Sequence, residues 1–321
     1  MNNSKKIVQP SFLREGDKVA LVSPAYWLAE EAVRETAEVI SSWGLQPVIG
    51  QYTNCQDSNA YAGTADLRAA DLRWAFDDED VKAVMCTRGG YGSIHLLNRI
   101  PLTYYAQHPK WMIGHGDITV LLSAQVASGV MAINGPMAFE MARDKDADIK
   151  VLRDLLFGTI PQYEISTNIN NRPGHAEGIL VGGNLSSYTS MVGTKYSMTE
   201  SDLILFIEEN EESLHNIDRL FYMLNLQGLL DHVQGVVLGD FSTVRHDLQV
   251  GSVEQMLTSH LHNRDIPVCC GFPVGCSSCF PLIEGAPVTL DVTAEKALLT
   301  FNIEGRKQLH RIDDIKEELI R

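Results

Sequence analysis

The chain has 321 residues, 45% hydrophobic and 21% charged, with a net charge of −15 and a mean hydropathy of −0.07. That length suits two domains, and the apolar share is ample for a sizeable core. The acidity, with no basic run longer than Lys5-Lys6, argues against nucleic acid and anionic membrane surfaces as partners, because both would repel this chain.

The first segment shows no apolar h-region before a small-residue cleavage site. No window approaches the ~18 apolar residues of a membrane span. The chain therefore reads as cytoplasmic, with its six cysteines reduced. Lys18–Val22 is a predicted strand and Ala29–Ser42 an amphipathic helix. Strand Pro47–Ile49, helix Ala65–Phe76 and strand Ala83–Cys86 follow, then helix Ser93–Ile100 and strand Trp111–Ile113. A helix from Asp117 to about Ser128 and a strand over Val130–Ile133 complete this half. Such alternation implies a parallel sheet covered on both faces, with ligands outside the carboxyl ends of its strands. The turns to watch are then Ser23–Ala25, Thr87–Gly92, Gly114–Thr119 and Asn134–Met137.

Turn formers and polar residues between Gly158 and Gly174 mark a boundary. The expected division is a domain over 1–160, a linker over 161–175 and a second domain over 176–321. The second half holds strands at Gly178–Val181, Leu203–Ile207 and Gly235–Leu238, with helices at Asn216–Leu226 and Val253–His262. Val288–Val292 and Ala297–Phe301 pattern as a hairpin, and the last sixteen residues as a charged helix.

Thr87-Arg-Gly-Gly-Tyr-Gly92 is a Gly-rich turn between strand and helix. Its N–H groups could cradle an anion or oxyanion, or it is simply a tight turn. It lacks the Lys-Ser/Thr pair and third glycine of the nucleotide fingerprints. Gly114-His-Gly-Asp-Ile-Thr119 has the setting of a nucleophile elbow, yet its centre is Gly116, which has no side chain. Asp117 reads as a cap more than an acid, and His115 as a half-buried imidazole or a base. Among the carboxylates of 208–212, Glu208 ends a buried strand and faces the crevice, whereas Glu209, Glu211 and Glu212 read as mostly solvated. Cys276-Ser-Ser-Cys279 has C-x-x-C spacing without a second pair or nearby histidine. Packing or site lining is preferred over metal or redox roles there, and no cofactor is expected.

Taken in order, LREGDKVALVSPA, TRGGYGS, IGHGDITVLLSA, NGPM, GILVGGNLSS, ILFIEENEESLHNIDRLFYML, VQGVVLGDF and CGFPVG make the chain resemble the serine LD-carboxypeptidases over nearly its whole length. Members of this family release the terminal D-alanine of muropeptide tetrapeptides, and a related branch cleaves peptidyl-nucleotide antibiotics. The resemblance implies an α/β protein with a flavodoxin-like N-terminal domain, a mixed-sheet C-terminal domain, an active site between them and a homodimer. It puts the nucleophilic serine at Gly116, the glutamate at Glu208 and the histidine at Cys276. It assigns oxyanion or substrate contacts to Gly89, Gly90, Asp117 and Asn184. Position 115, usually aromatic, is His115, the usual HGPM begins with Asn134, and an aromatic often found after the glutamate turn is His215.

Acyl transfer by this route needs a nucleophile, a base in contact with it and a group orienting the base. Gly116 supplies no nucleophile, and a thiol at Cys276 has no second nitrogen for Glu208 to orient. The expectation is a protein that binds a peptidoglycan-derived or similar small peptide with the family chemistry impaired or absent. The alternative is a hydrolase with a relocated nucleophile such as Cys276, using His115 or another histidine such as His215.

Overall fold

The computed structural model describes residues 7–142, 147–198, 202–241, 243–245, 252–261, 263–275 and 278–314. Cys276 lies outside the described residues. In chain order the N-terminal elements are β1 (Lys18–Val22), α1 (Glu30–Ser42), β2 (Gln46–Ile49), α2 (Ala65–Asp77), β3 (Val81–Cys86), α3 (Leu102–Gln107), β4 (Trp111–Gly114), α4 (Thr119–Ser128), β5 (Ala132–Asn134), α5 (Ala138–Met141) and α6 (Ala147–Leu156). There follow β6 (Thr159–Ser166), β7 (Gly174–Asn184), α7 (Leu185–Thr189), β8 (Leu203–Glu208), α8 (Leu214–Leu226), β9 (Val233–Leu238), α9 (Val253–His260), β10 (Val268–Cys270), β11 (Leu282–Glu284), β12 (Pro287–Val292), β13 (Lys296–Phe301) and β14 (Arg306–Arg311).

The chain divides into two units. One runs through Gly158 and takes back the short segment Phe280–Glu284; the other holds Thr159–Cys279 and the chain from Gly285 on. The first unit is built on a sheet ordered β11-β5-β4-β3-β1-β2. Its strands β1 to β5 are parallel, and only β11 runs antiparallel, against β5. This is the doubly wound order 2-1-3-4-5, whose crevice opens at the carboxyl ends of β1 and β3, where the strand order reverses. Strands β1, β3 and β4 are apolar almost throughout because both faces are covered. Helix α1 buries Val33, Thr36 and Ile40, one stripe at helical spacing, and leaves its glutamates outside. Helix α4 is buried nearly all round, which explains its lack of a polar face.

The second unit holds a mixed sheet ordered β10-β9-β8-β7-β12-β13-β6-β14. Strands β7 to β10 are parallel, the ladder β7-β12-β13-β6 is antiparallel, and β14 joins β6 in parallel. The hairpin predicted near residues 288–301 is the β12–β13 pair.

Three expectations are corrected. Residues 161–175 are not an open linker, since most of β6 and the start of β7 lie there. Residues 306–311 form β14 rather than a helix, and only His310 of that strand is buried. An edge strand tolerates charge on its open side, so its polar sequence mimics a solvated helix. The helix foreseen over Ser93–Ile100 is a short 3-10 turn at Ser93–Leu96. No helix among the described residues is long and apolar enough to cross a membrane.

Candidate functional site

In the first unit, the carboxyl ends of β1 and β3 are tied together. Thr87 N donates to Val22 O at 2.8 Å, and the Ser23 and Thr87 hydroxyls share a hydrogen bond of 2.5 Å. Beyond them the Gly-rich turn leaves β3. Gly90 and Gly92 have φ of +104° and +115°, conformations that an L side chain rarely adopts. A Cβ on Gly90 would also run into the Tyr26 ring, so backbone and ring meet there with nothing between.

Arg68 of α2 holds this turn from behind. Its guanidinium donates to Pro24 O at 2.6 Å, Gly92 O at 2.9 Å and Gly63 O at 3.3 Å, and stacks over Tyr61 at 4.9 Å. One buried cation thus neutralises carbonyls from three segments that no strand pairs.

The elbow follows β4. Gly116 has φ +60°, and a Cβ built on it meets nothing within 4 Å among the described residues. The turn expected of an elbow is present, with a φ that glycine adopts without strain. Gly89 lies against its backbone, with its Cβ position 3.4 Å from His115 O and 3.5 Å from Asp117 N. Gly89, Gly90, His115, Gly116 and Asp117 are therefore brought together. Asp117 accepts the Ser93 N–H at 2.8 Å, and its carbonyl accepts the Ser93 hydroxyl at 2.6 Å. It caps the turn after the Gly-rich loop rather than its own helix. Burial raises its carboxyl pKa, and the hydrogen bonds from Ser93 and Gly92 and the charge of Arg68 only partly oppose that.

His115 pairs with a residue not anticipated from sequence. Its Nε2 lies 3.2 Å from Glu140 Oε1, while Glu140 Oε2 accepts the Met137 N–H at 2.9 Å. Burial opposes ionisation of Glu140, but the His115 charge and hydrogen bond, with backbone donors, leave its pKa below the ordinary value. Glu140 sits three residues past Met137, a capping-box spacing that could have flagged it. Asn134, at the end of β5, is 1% exposed.

The second unit gathers the remaining residues at the carboxyl ends of β7 to β9. Glu208 ends β8, is 4% exposed and stands in register with Asn184 at the end of β7. Gly239, just past β9, has its Cβ position 3.1 Å from Glu208 Cβ and against Val274 O. Asp240 N donates to Val274 O at 2.8 Å, and a Cβ on Gly275 would stand 2.6 Å from Asp240 Cβ. The chain leading into position 276 thus passes the end of β9 beside Glu208. His215 is exposed in the first turn of α8, its Nε2 3.4 Å from Ser213 Oγ.

Glu209 corrects the expectation of a solvated carboxylate, for it is as buried as Glu208. It accepts from Asn184 Nδ2 (2.7 Å), Ser186 N (2.8 Å), Ser186 Oγ (2.5 Å) and Asn210 N (2.9 Å). Asn184 in turn caps α7 by accepting from Ser187 N. Four donors on two oxygens make Glu209 the clamp between β7, α7 and the β8 turn. The cysteines Cys269 and Cys270 are buried on β10. Burial pushes the Cys270 thiol up to about 12 and the Cys269 thiol higher, so neither is a thiolate at neutral pH.

The comparisons with known proteins now decide the family. Residues 19–135 match the LD-carboxypeptidase N-terminal domain and residues 177–290 the LD-carboxypeptidase C-terminal domain. The chain belongs to the LD-carboxypeptidase family. A Synechocystis sp. protein provisionally named a carboxypeptidase is 34% identical, over 84% of this chain and 90% of its own. A Bacillus subtilis protein named as a probable murein peptide carboxypeptidase is 32% identical, over 90% of this chain and 92% of its own. Among solved structures, the muramoyltetrapeptide carboxypeptidase of Oxalobacter formigenes superposes with a TM-score of 0.80 at 26% identity, covering 90% of this chain and 99% of that one. This LD-carboxypeptidase-family chain carries Gly116 and Cys276 where the family resemblance expects serine and histidine.

Proposed function

We propose that this protein binds a peptidoglycan-derived peptide and does not run the family's serine mechanism. The observation that carries the reading is Gly116: an elbow with φ +60°, where a built Cβ meets no described atom within 4 Å, but with no side-chain atom that can attack a carbonyl carbon. Covalent catalysis cannot begin without a nucleophile, whatever the state of Glu208. The relatives named for murein peptides support a peptide as ligand, and the Gly-rich turn packed on the elbow backbone supports a retained cradle. The ligand site is proposed to need no cofactor, and the protein to act as a cytoplasmic homodimer.

The test is calorimetry with a muropeptide L,D-tetrapeptide, run beside an assay for released D-alanine. Binding without release is the expected result. Release at a rate typical of an enzyme, or no binding to any wall fragment, would refute the proposal.

One observation favours a second reading, a hydrolase with a relocated nucleophile. The His115–Glu140 pair places a carboxylate 3.2 Å from an imidazole nitrogen, the two groups that a base and its orienter require. In that case Cys276 or water attacks. A Cys276→Ala variant and a His115→Gln variant that both keep the wild-type rate of D-alanine release would end this reading.

A further inference from the structure

Arg88 is the second residue of the Gly-rich turn. Its guanidinium makes no hydrogen bond or ion pair with any described residue; its contacts are two aromatic faces. Cζ stands 4.8 Å from the Phe139 ring centre and 5.9 Å from that of Tyr26. Both rings are fixed to the backbone beside Arg88. Phe139 N donates to Thr87 O at 2.9 Å, and Tyr26 N donates to Gly89 O at 3.3 Å. The two residues flanking Arg88 thus anchor the two rings that hold its side chain, and the fork is oriented without being neutralised.

An unpaired, half-buried guanidinium is out of place in this protein, where 41 acidic residues face 26 basic ones. The neighbouring Arg68 shows the usual outcome for such a group, with its donors spent on three carbonyls. Arg88 keeps its donors, one residue from Gly89, whose Cβ position is 3.5 Å from the elbow nitrogen of Asp117. A single planar fork with one charge matches a carboxylate, which it can hold through two parallel N–H···O bonds. A phosphate dianion would call for a second cation, and Arg68 is not available to serve as one.

We propose that Arg88 recognises a carboxylate of the bound ligand, the C-terminal carboxylate of a peptide. This rests on the peptide-binding reading above. The test is calorimetry on the full chain with the tetrapeptide L-Ala-γ-D-Glu-L-Lys-D-Ala as free acid and as C-terminal amide. Inorganic phosphate is titrated alongside. Wild type binds the acid about tenfold or more tighter than the amide, the worth of one charge-assisted pair. Arg88→Gln binds the two alike, and Arg88→Lys, which keeps the charge but loses the fork, falls between. Peptide binding with an acid–amide ratio near one in wild type, or a ratio unchanged in both variants, overturns this inference and leaves peptide binding standing. Failure of both peptides to bind wild type overturns the two together. Phosphate binding tighter than the acid and lost in Arg88→Gln replaces the carboxylate with a phosphate-bearing ligand and so also overturns it.

Discussion

Placing serine at 116 and histidine at 276, as the family resemblance expects, is the most exacting test of the proposed loss of chemistry. At φ +60° an L residue costs roughly 1–2 kcal/mol over glycine, and the open space around the built Cβ adds no clash at Gly116. For a unit of this size each kcal/mol lowers the melting temperature by about 2–4 °C. Gly116→Ser should therefore melt about 2–8 °C below wild type and remain folded. A serine at Gly182 should not be tolerated, because its Cβ would overlap the Phe206 carbonyl.

With Cys276→His added, both side chains that the family resemblance expects at positions 116 and 276 are supplied. A positioned base is worth about 10²–10⁴ in rate, and triad members act as a unit. The expected outcome is D-alanine release from an L,D-tetrapeptide by the double variant, at least about 10²-fold above wild type and above either single variant. Released D-alanine can be followed with a D-amino-acid oxidase couple. A double variant that melts within the stated range and binds tetrapeptide, yet releases no D-alanine above wild type, refutes the assignment of positions 116 and 276.

Three further outcomes follow from the geometry. Glu209→Ala strands four donors, each worth about 1–3 kcal/mol when left unsatisfied. It should destabilise the chain by at least about 3 kcal/mol in chemical denaturation, with Glu209→Gln milder. Arg68→Met fills similar volume but strands the carbonyls of Pro24, Gly63 and Gly92, and should cost about 2–4 kcal/mol by the same measurement. Glu284 on β11 is 1% exposed, and burial raises its pKa well above 4.5, which favours the neutral form in the fold. Its contribution is fully present below its unfolded pKa near 4.5 and is lost as pH rises towards the folded value. Glu284→Gln should therefore gain stability relative to wild type from pH 4 to pH 8, and parallel melting curves across that range would contradict this.

Much of the fold was legible because the apolar periodicity of the buried strands is strong. Strands β1, β3, β4, β8 and β9 fall within about two residues of their predicted places. What escaped was carried by pairing rather than by pattern. Strand β11 is three residues long and returns to the first unit by pairing with β5, a tertiary event with no local signature. Strand β14 is polar because it is an edge. At the site, sequence motifs located the turns but could not rank the charges within them. Glu208 and Glu209 are adjacent, acidic and equally buried, and only the partners in space give Glu209 its four donors. Glu140 and His115 are 25 positions apart and meet only because α5 follows β5, the strand beside β4.

The conformation at Gly116 also bears on how a nucleophile could be lost while its surroundings persist. A serine at φ +60° stores about 1–2 kcal/mol of strain that function requires and folding does not. Glycine adopts the same φ without strain, so Ser-to-Gly at this position removes the chemistry and stabilises the elbow in one step. The turn then needs no catalytic role to remain as it is. By contrast, the Arg88 side chain between Phe139 and Tyr26 gains no such relief from persisting, since among the described residues its guanidinium contacts two aromatic faces and no acidic partner. A binding role would account for keeping that charge whether or not position 116 once held a nucleophile, which is why the acid–amide comparison at Arg88 and the rescue at Gly116 probe separable properties.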